Sequence, residues 1–151
     1  HGLAYVGLRY FNVYGLRQHY KGAYAQIIPR WYDSMISGEK VTIFGDGSQT
    51  IDATFVTDIS RANIIALESD YENDFFNVGY GKETSILELF EVMAKLINYK
   101  MKPEFINQDV NLVKKRLSSI EKAKKELGFT ACVNLEEGLL QYIDWRKSTK
   151  L

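Results

Sequence analysis

Apolar positions along this chain follow two rhythms. Leu3 to Tyr14 is a nearly continuous apolar run closed by Gly15, the pattern of a strand buried on both faces of a parallel sheet. Residues 16–24 are polar and aromatic and read as loop. Ile27, Ile28, Trp31, Tyr32, Met35 and Ile36 then recur at helical spacing. Pro29 falls in the first turn of that helix, where its missing N–H costs little, and Gly38 stops it. The stretch VTIFGDGSQTIDATFV sets two β-prone runs around Gly-Asp-Gly, which predicts a hairpin. A helix is predicted from Asp58 to Ser69, capped by Thr57 or Asp58, and FFNVG (75–79) reads as a short buried strand. Ser85 and Glu88 form a capping box before an apolar stripe of Ile86, Leu89, Phe90, Met93, Leu96 and Ile97. PEFIN (103–107) predicts an edge strand, and Ser118 to Leu127 a short helix stopped by Gly128. Asn134, with Glu137 three residues on, caps a last helix that turns Leu135, Leu139, Tyr142 and Ile143 inward. Strands alternating with helices make this an α/β fold with an inserted hairpin.

Composition narrows the function classes. A length of 151 residues suits one domain or a large part of one. With 19 basic and 19 acidic residues the net charge is zero, which argues against nucleic acid as a partner but leaves room for one phosphate site. Residues 100–126 hold a local excess of four positive charges, read as a solvated helix face. A single cysteine and two histidines give neither a disulfide framework nor zinc-ligand spacing, so no metal is expected, and Cys132 reads as an inert small hydrophobe. No apolar run reaches membrane-spanning length and the first residues lack the regions of a signal peptide. No membrane partner is therefore expected, and a reducing, cytoplasmic location is the default. HGLAYVGLRYF enters a strand pattern without an initiator Met, and an upstream portion is expected before it.

Few residues announce chemistry. There is no Ser/His/Asp arrangement, no carboxylate pair in an apolar setting, and none of the ten tyrosines has Lys four residues later. Gly79-Tyr80-Gly81-Lys82-Glu83-Thr84 nearly spells the dinucleotide fingerprint between a strand and a helix. Its third glycine is Thr84, however, and no acidic residue ends a second strand about 20 positions on, so it reads as a tight turn into a capped helix. The stretch LRYFNVYGLRQ (8–18) is less easily dismissed. A charged residue, an amide and three aromatics are out of place in a core strand, and they mark either packing or the edge of a site.

LRYFNVYG, AYAQIIPR, VTIFGDGSQT, FVTDISRANIIAL, FNVGYGKETSILEL, EKAKKELGF and LEEGL follow one another in order across essentially the whole chain. Together they resemble the C-terminal half of extended short-chain dehydrogenases/reductases, the NAD-dependent nucleotide-sugar epimerases and dehydratases typified by UDP-glucose 4-epimerase. The resemblance implies the last strands of a Rossmann sheet (1–15 and about 57–80) and a small mixed α/β substrate-binding subdomain (about 16–56 and 81–151). It also implies that the Gly-rich NAD loop and the Tyr-x-x-x-Lys pair lie upstream, so that residues 1–151 alone are inactive. The parent reaction implied is transient oxidation and re-reduction of a UDP-hexose. Nucleotide-sugar dehydratases, decarboxylases and ADP-heptose 6-epimerases share this half. A non-catalytic nucleotide- or protein-binding domain is the rival reading.

In similar enzymes the residues matching Tyr10 and Phe11 lie beside the nicotinamide, and the residue matching Asn12 contacts the nucleotide-sugar near its diphosphate. Gln26 and Ile27 match the start of a helix facing the nucleotide. Thr42 and Phe44 match the strand that meets the base, with a hairpin-core role for Phe44 equally open. Arg9 and Tyr14 are expected to be structural. Lys21, nine positions after Asn12, matches an acid/base of the heptose epimerases or is a solvated loop lysine. Where the family reads QTRDF this chain has QTIDA, so Ile51 stands for a phosphate-clamping Arg and Ala53 for an aromatic. A second family arginine would fall near Asp109. Lys114, Lys115 or Arg116 is expected to restore the charge, Arg116 first, since it stands by the family's sugar-facing position. The parent is expected to be a homodimer, and the isolated chain to self-associate.

Overall fold

The long apolar run at the start of the chain does not stay one strand. In the computed structural model, which describes residues 2–22, 26–107 and 113–149, it breaks at Asn12, whose φ is +32°. This is a backbone region that Asn tolerates better than branched residues do. Before the break, β1 (Val6–Tyr10) pairs in parallel with β6 (Asp74–Val78); after it, β2 (Val13–Tyr14) pairs in parallel with β5 (Thr54–Phe55). Hydrogen bonds from Phe11 N–H to Val78 O and from Thr54 N–H to Asn12 O mark the exchange of partners. The expectation of a strand buried on both faces is thereby corrected. Among the described residues β1 is paired along one edge only, and Tyr5 and Tyr10 are half exposed.

The remaining elements are α1 (Ile27–Ser37), β3 (Thr42–Phe44), β4 (Thr50–Ile51), α2 (Val56–Glu68), β7 (Thr84–Ser85), α3 (Ile86–Ile97), β8 (Glu104–Ile106), α4 (Glu121–Glu126) and α5 (Leu135–Ser148). Local signals placed most of their ends. Gly38 closes α1 in the left-handed region at φ +69°, Ser85 Oγ accepts from Glu88 N–H at 3.0 Å, and Asn134 Oδ1 accepts from Glu137 N–H at 2.9 Å. Each such cap stabilises its helix by about 1 kcal/mol.

The predicted hairpin does not form. Gly45-Asp46-Gly47 is a turn, but its arms leave in different directions. β3 pairs in parallel with β8 and β4 pairs antiparallel with β7. The bonds a hairpin would use are already taken, because Phe44 O accepts from the Gln49 side chain at 2.7 Å and Gly45 N–H donates to Ile106 O at 3.0 Å. The capping role expected for Thr57 or Asp58 also fails. α2 begins at Val56 and has no side-chain cap; Asp58 is buried and accepts instead from Cys132 N–H, Val133 N–H and Arg61. α4 starts three residues later than Ser118, whose side chain is engaged elsewhere.

Two apolar clusters result. The larger joins α1, α3 and α5 around Tyr14, Ile43 and Phe55, with Trp31–Phe90 and Tyr32–Tyr142 in edge-to-face contact. Pairs of that kind add about 0.5–1.5 kcal/mol each beyond the area they bury. The smaller packs Ile59 and Ala62 of α2 and Ala123 of α4 against Phe76 and Val78 of β6. Among the described residues no helix is long and apolar enough to cross a membrane.

Candidate nucleotide-sugar site

Residues two apart on a strand share a face, so β3 presents Thr42 and Phe44 together. Residues at i, i+3 and i+7 share a helix face, so α1 presents Ile27, Arg30 and Ser34. Between these faces lies a cavity of about 210 Å³, with Lys40 at its rim. On the other side of Ile27 and Phe44 is a second cavity, of about 160 Å³, lined by Ile43, Ile51, Ile86, Val113 and Arg116. Ile27 and Phe44 are common to both, so the two adjoin. No side chain caps the start of α1, and because Pro29 has no N–H, Ile27 and Ile28 carry its first-turn N–H groups.

The second cavity is apolar except for Arg116, Gln49 and Thr50. Thr50 fixes one wall through its backbone, donating to Lys114 O at 2.9 Å and accepting from Arg116 N–H at 3.2 Å. Among the three cations proposed to replace the missing arginine, this geometry separates the roles. Lys115 is 3.1 Å from Glu83, which also accepts from Thr50 Oγ1 at 3.0 Å. The Lys115 bond first, and the Thr50 bond after it, hold the Glu83 carboxyl below the usual carboxylate range. Lys114 lines neither cavity. Arg116 lines the second and has no acidic partner among the described residues.

Tyr10, Phe11 and Asn12 gather at the C-terminal end of β1. Tyr10 is half exposed and its hydroxyl donates to Asn63 Oδ1 at 2.9 Å; Phe11 and Asn12 are half-buried. The Asn12 amide has no hydrogen-bond partner among the described residues, although its backbone oxygen is taken. Arg9 lies over the Phe75 ring at 4.8 Å. Tyr14 is buried and donates to Leu135 O at 3.4 Å; burial, with the charge of Asp58 behind it, pushes its phenol well above the ordinary range. Packing and hydrogen bonding account for both. Gln26 is exposed and its side chain accepts from Gln18 Nε2 at 3.0 Å, which fastens the loop after β2 to the start of α1. Lys21 is exposed in that loop, 5.3 Å from the Tyr20 ring, and lines neither cavity. Asp109 lies outside the described residues.

The near-fingerprint at Gly79–Thr84 is filled from within the protein. Tyr80 N–H and Gly81 N–H donate to the Asp52 carboxylate at 2.9 and 3.1 Å, so the turn reading holds and no pyrophosphate can use those donors. Cys132 departs from expectation in being exposed. Its thiol donates to Asp58, and that bond, with burial and the Asp58 charge, pushes the thiol up, away from nucleophilic character. The lining roles of Arg30, Ser34 and Lys40 were not anticipated, though helical spacing from Ile27 was the available signal for the first two.

Comparison with known proteins places the chain in a family. The profile of the family described as "NAD dependent epimerase/dehydratase family" matches residues 1–79. A UDP-glucuronate 4-epimerase from Thermodesulfobacterium geofontis is 36% identical over 149 residues, which are 97% of this chain and 44% of that protein. A crystal structure of UDP-glucose 4-epimerase with UDP-glucose from Thermotoga maritima superposes with a TM-score of 0.91 at 37% identity, covering 97% of this chain and 47% of that one. A UDP-N-acetylglucosamine 4-epimerase from Methanobrevibacter ruminantium, in complex with UDP-N-acetylmuramic acid, gives a TM-score of 0.90 at 34% identity and the same coverage of each chain. The chain spans about half the length of the curated relatives it matches. It is the C-terminal part of their fold, and it belongs to the NAD-dependent epimerase/dehydratase family.

Proposed function

We propose that these residues form the substrate-binding part of an NAD-dependent nucleotide-sugar epimerase that inverts C4 of a UDP-hexose. The observation that carries this reading is the pair of adjoining cavities sharing Ile27 and Phe44, one bounded by Thr42 and the other by Arg116. An aromatic ring beside a strand edge suits a base, and a guanidinium suits a diphosphate because its fork bridges two oxygens. The cavity that holds Arg116 is otherwise largely apolar, so the charge-assisted bond is only partly screened. At the uncapped start of α1, whose Ile27 lines both cavities, the N–H groups of Ile27 and Ile28 are the further donors.

NAD fits at the other end of the site. Ligands of open parallel α/β sheets bind beyond the carboxyl ends of the strands. There Tyr10 and Phe11 offer aromatic surface, and the Asn12 amide can donate to an oxygen without adding a buried charge. When bound, NAD supplies hydride acceptance from the sugar carbinol and hydride return. The residues of this chain hold the sugar: Asn12 orients it near the diphosphate, Arg116 anchors the diphosphate, and Gln26, Ile27, Thr42 and Phe44 fix the nucleotide. Anchoring the nucleotide and diphosphate in this way holds the sugar within reach of the hydride acceptor. Lys21 lines neither cavity, and it serves as an acid/base only if its loop closes over the sugar.

On this reading residues 1–15 and about 57–80 belong to the cofactor-binding sheet. Residues about 16–56 and 81–151 form the substrate-binding subdomain, and the parent is a homodimer. The test is to give the full-length protein UDP-glucose and follow the C4 epimer by NMR. Interconversion is expected. No conversion together with no measurable UDP-glucose binding would overturn the assignment.

A further inference from the structure

Asp52 is fully buried, and the described residues place no cation against it. Its charge is met by hydrogen bonds alone. Tyr80 N–H donates to Oδ1 at 2.9 Å, Gly81 N–H to Oδ2 at 3.1 Å and Ser118 N–H to Oδ2 at 3.1 Å, and the Ser118 hydroxyl completes the set. A buried carboxylate is costly unless fully satisfied, and a satisfied network specifies one arrangement of the segments it joins. Three segments meet here: the end of β4, the turn before β7, and the stretch leading to α4. They meet closely. A Cβ added to Gly79 would lie 2.1 Å from Ser118 Oγ and 2.6 Å from Asp52 Oδ2.

The third segment is the one that carries Arg116. Residues 114–118 run along 50–52 and are tied at three points: Thr50 N–H to Lys114 O, Arg116 N–H to Thr50 O, and Ser118 to the Asp52 side chain. Only the last tie is made by a side chain, and it fixes the end of the segment just past Arg116. Ile51, the residue before Asp52, lines the same cavity as Arg116. The strand therefore turns one side chain into the cavity and the next into a clamp on the neighbouring segment that carries Arg116.

We propose that Asp52 is the positioning residue for Arg116: its carboxylate sets the register of residues 114–118 so that the guanidinium reaches the diphosphate of a nucleotide-sugar. This rests on the reading that Arg116 contacts that diphosphate. Without Asp52 the segment keeps its two backbone bonds to Thr50 and the exposed Lys115–Glu83 ion pair, none of which holds the stretch beyond Arg116, and Arg116 samples other directions.

The test is a double-mutant cycle in the full-length protein, with UDP as the probe in calorimetry and KM and kcat measured for UDP-glucose. Asp52→Asn keeps the volume but turns an amide NH₂ toward groups that themselves donate. It is expected to weaken UDP about tenfold when Arg116 is present and less than twofold in the Arg116→Ala background, which is the signature of coupled residues. KM should rise while kcat stays within about threefold. An equal loss in both backgrounds would make Asp52 a merely structural residue and overturn the proposal. If Arg116→Ala alone leaves UDP affinity unchanged, the diphosphate reading itself fails, and the proposal with it. Should Asp52→Asn not fold, as judged by circular dichroism, Ser118→Ala takes its place in the cycle. That variant removes the hydroxyl and leaves the backbone bond, so about a threefold loss is expected, again confined to the Arg116 background. Loss in both backgrounds overturns the proposal here as well.

Discussion

Replacing Arg116 with Ala removes the one cation that lines the smaller cavity, whose other walls are mostly Ile and Phe side chains. A charge-assisted hydrogen bond contributes about 1.5–3 kcal/mol net, which is roughly ten- to a hundredfold in affinity. The Arg116 side chain is exposed, so water and salt screen part of this and the lower end applies, about tenfold. Ile51→Arg provides the complement. Residue 51 is held in β4 opposite Thr84 and lines the same cavity, so a guanidinium there enters it directly. Recovery should be partial, because the new cation loses hydration among Ile27, Ile43 and Ile86. Lys115→Ala is the control: it breaks the Glu83 ion pair and should leave affinity within about twofold, as exposed pairs contribute little. The assay is calorimetric titration of the full-length protein with UDP and UDP-glucose at two salt concentrations. If Arg116→Ala binds as tightly as wild type, or Lys115→Ala weakens binding as much, the diphosphate is held by something other than Arg116.

Three further outcomes follow from the packing. Gly138→Ala should lower stability by about 1–3 kcal/mol, seen as a melting temperature about 2–12 °C lower. The added Cβ would meet Tyr14 Oη at 2.2 Å and Phe55 Cδ2 at 2.8 Å, and neither buried ring can retreat. Burial alone would raise the Asp58 carboxyl, but N–H groups of Val133 and Cys132 and the Arg61 guanidinium outweigh it and hold it below the usual range. Its stabilisation is therefore complete above the ordinary aspartate value of about 4 and is lost as pH falls through the lowered one. Melting curves should show Asp58→Asn flattening that acid decline, and an unchanged slope would mean Asp58 contributes nothing. Residues 1–151 alone should self-associate through the apolar surface at Tyr5, Leu67 and Phe75, which are 45%, 86% and 45% exposed. A strict monomer by light scattering at high concentration would refute this.

What the sequence conveyed was what neighbouring residues decide among themselves. The Ser85 and Asn134 caps, the Gly38 stop and the stripe of α3 depend on groups within a few positions and are present, as is the stripe of α1 except for Ile36, which is exposed. The hairpin failed because strand pairing is not local. Thr42 finds its partner at Glu104, and Gln49 satisfies the carbonyl that a facing strand would have bonded. Asp58 has the spacing of a cap, but its donors at Cys132 and Val133 lie far along the chain, and burial among them outweighs the helix end. Asp52 was invisible for the same reason, since its partners are at 80, 81 and 118.

The same distinction explains how an arginine expected at position 51 could be an isoleucine without loss of the fold. Side chains alternate along β4, so residue 51 faces the cavity and residue 52 faces the junction of three segments. A change at 51 alters the lining of a cavity of about 160 Å³ and leaves every bond of the Asp52 clamp in place. A change at 52 leaves that lining intact but unties the wall that carries Arg116. Charge lost at 51 can therefore be regained from the segment that runs beside it, provided that segment is rigid, and rigidity is what the buried carboxylate supplies. Ligand chemistry and framework occupy adjacent positions on one strand, and they can change independently because their side chains point opposite ways.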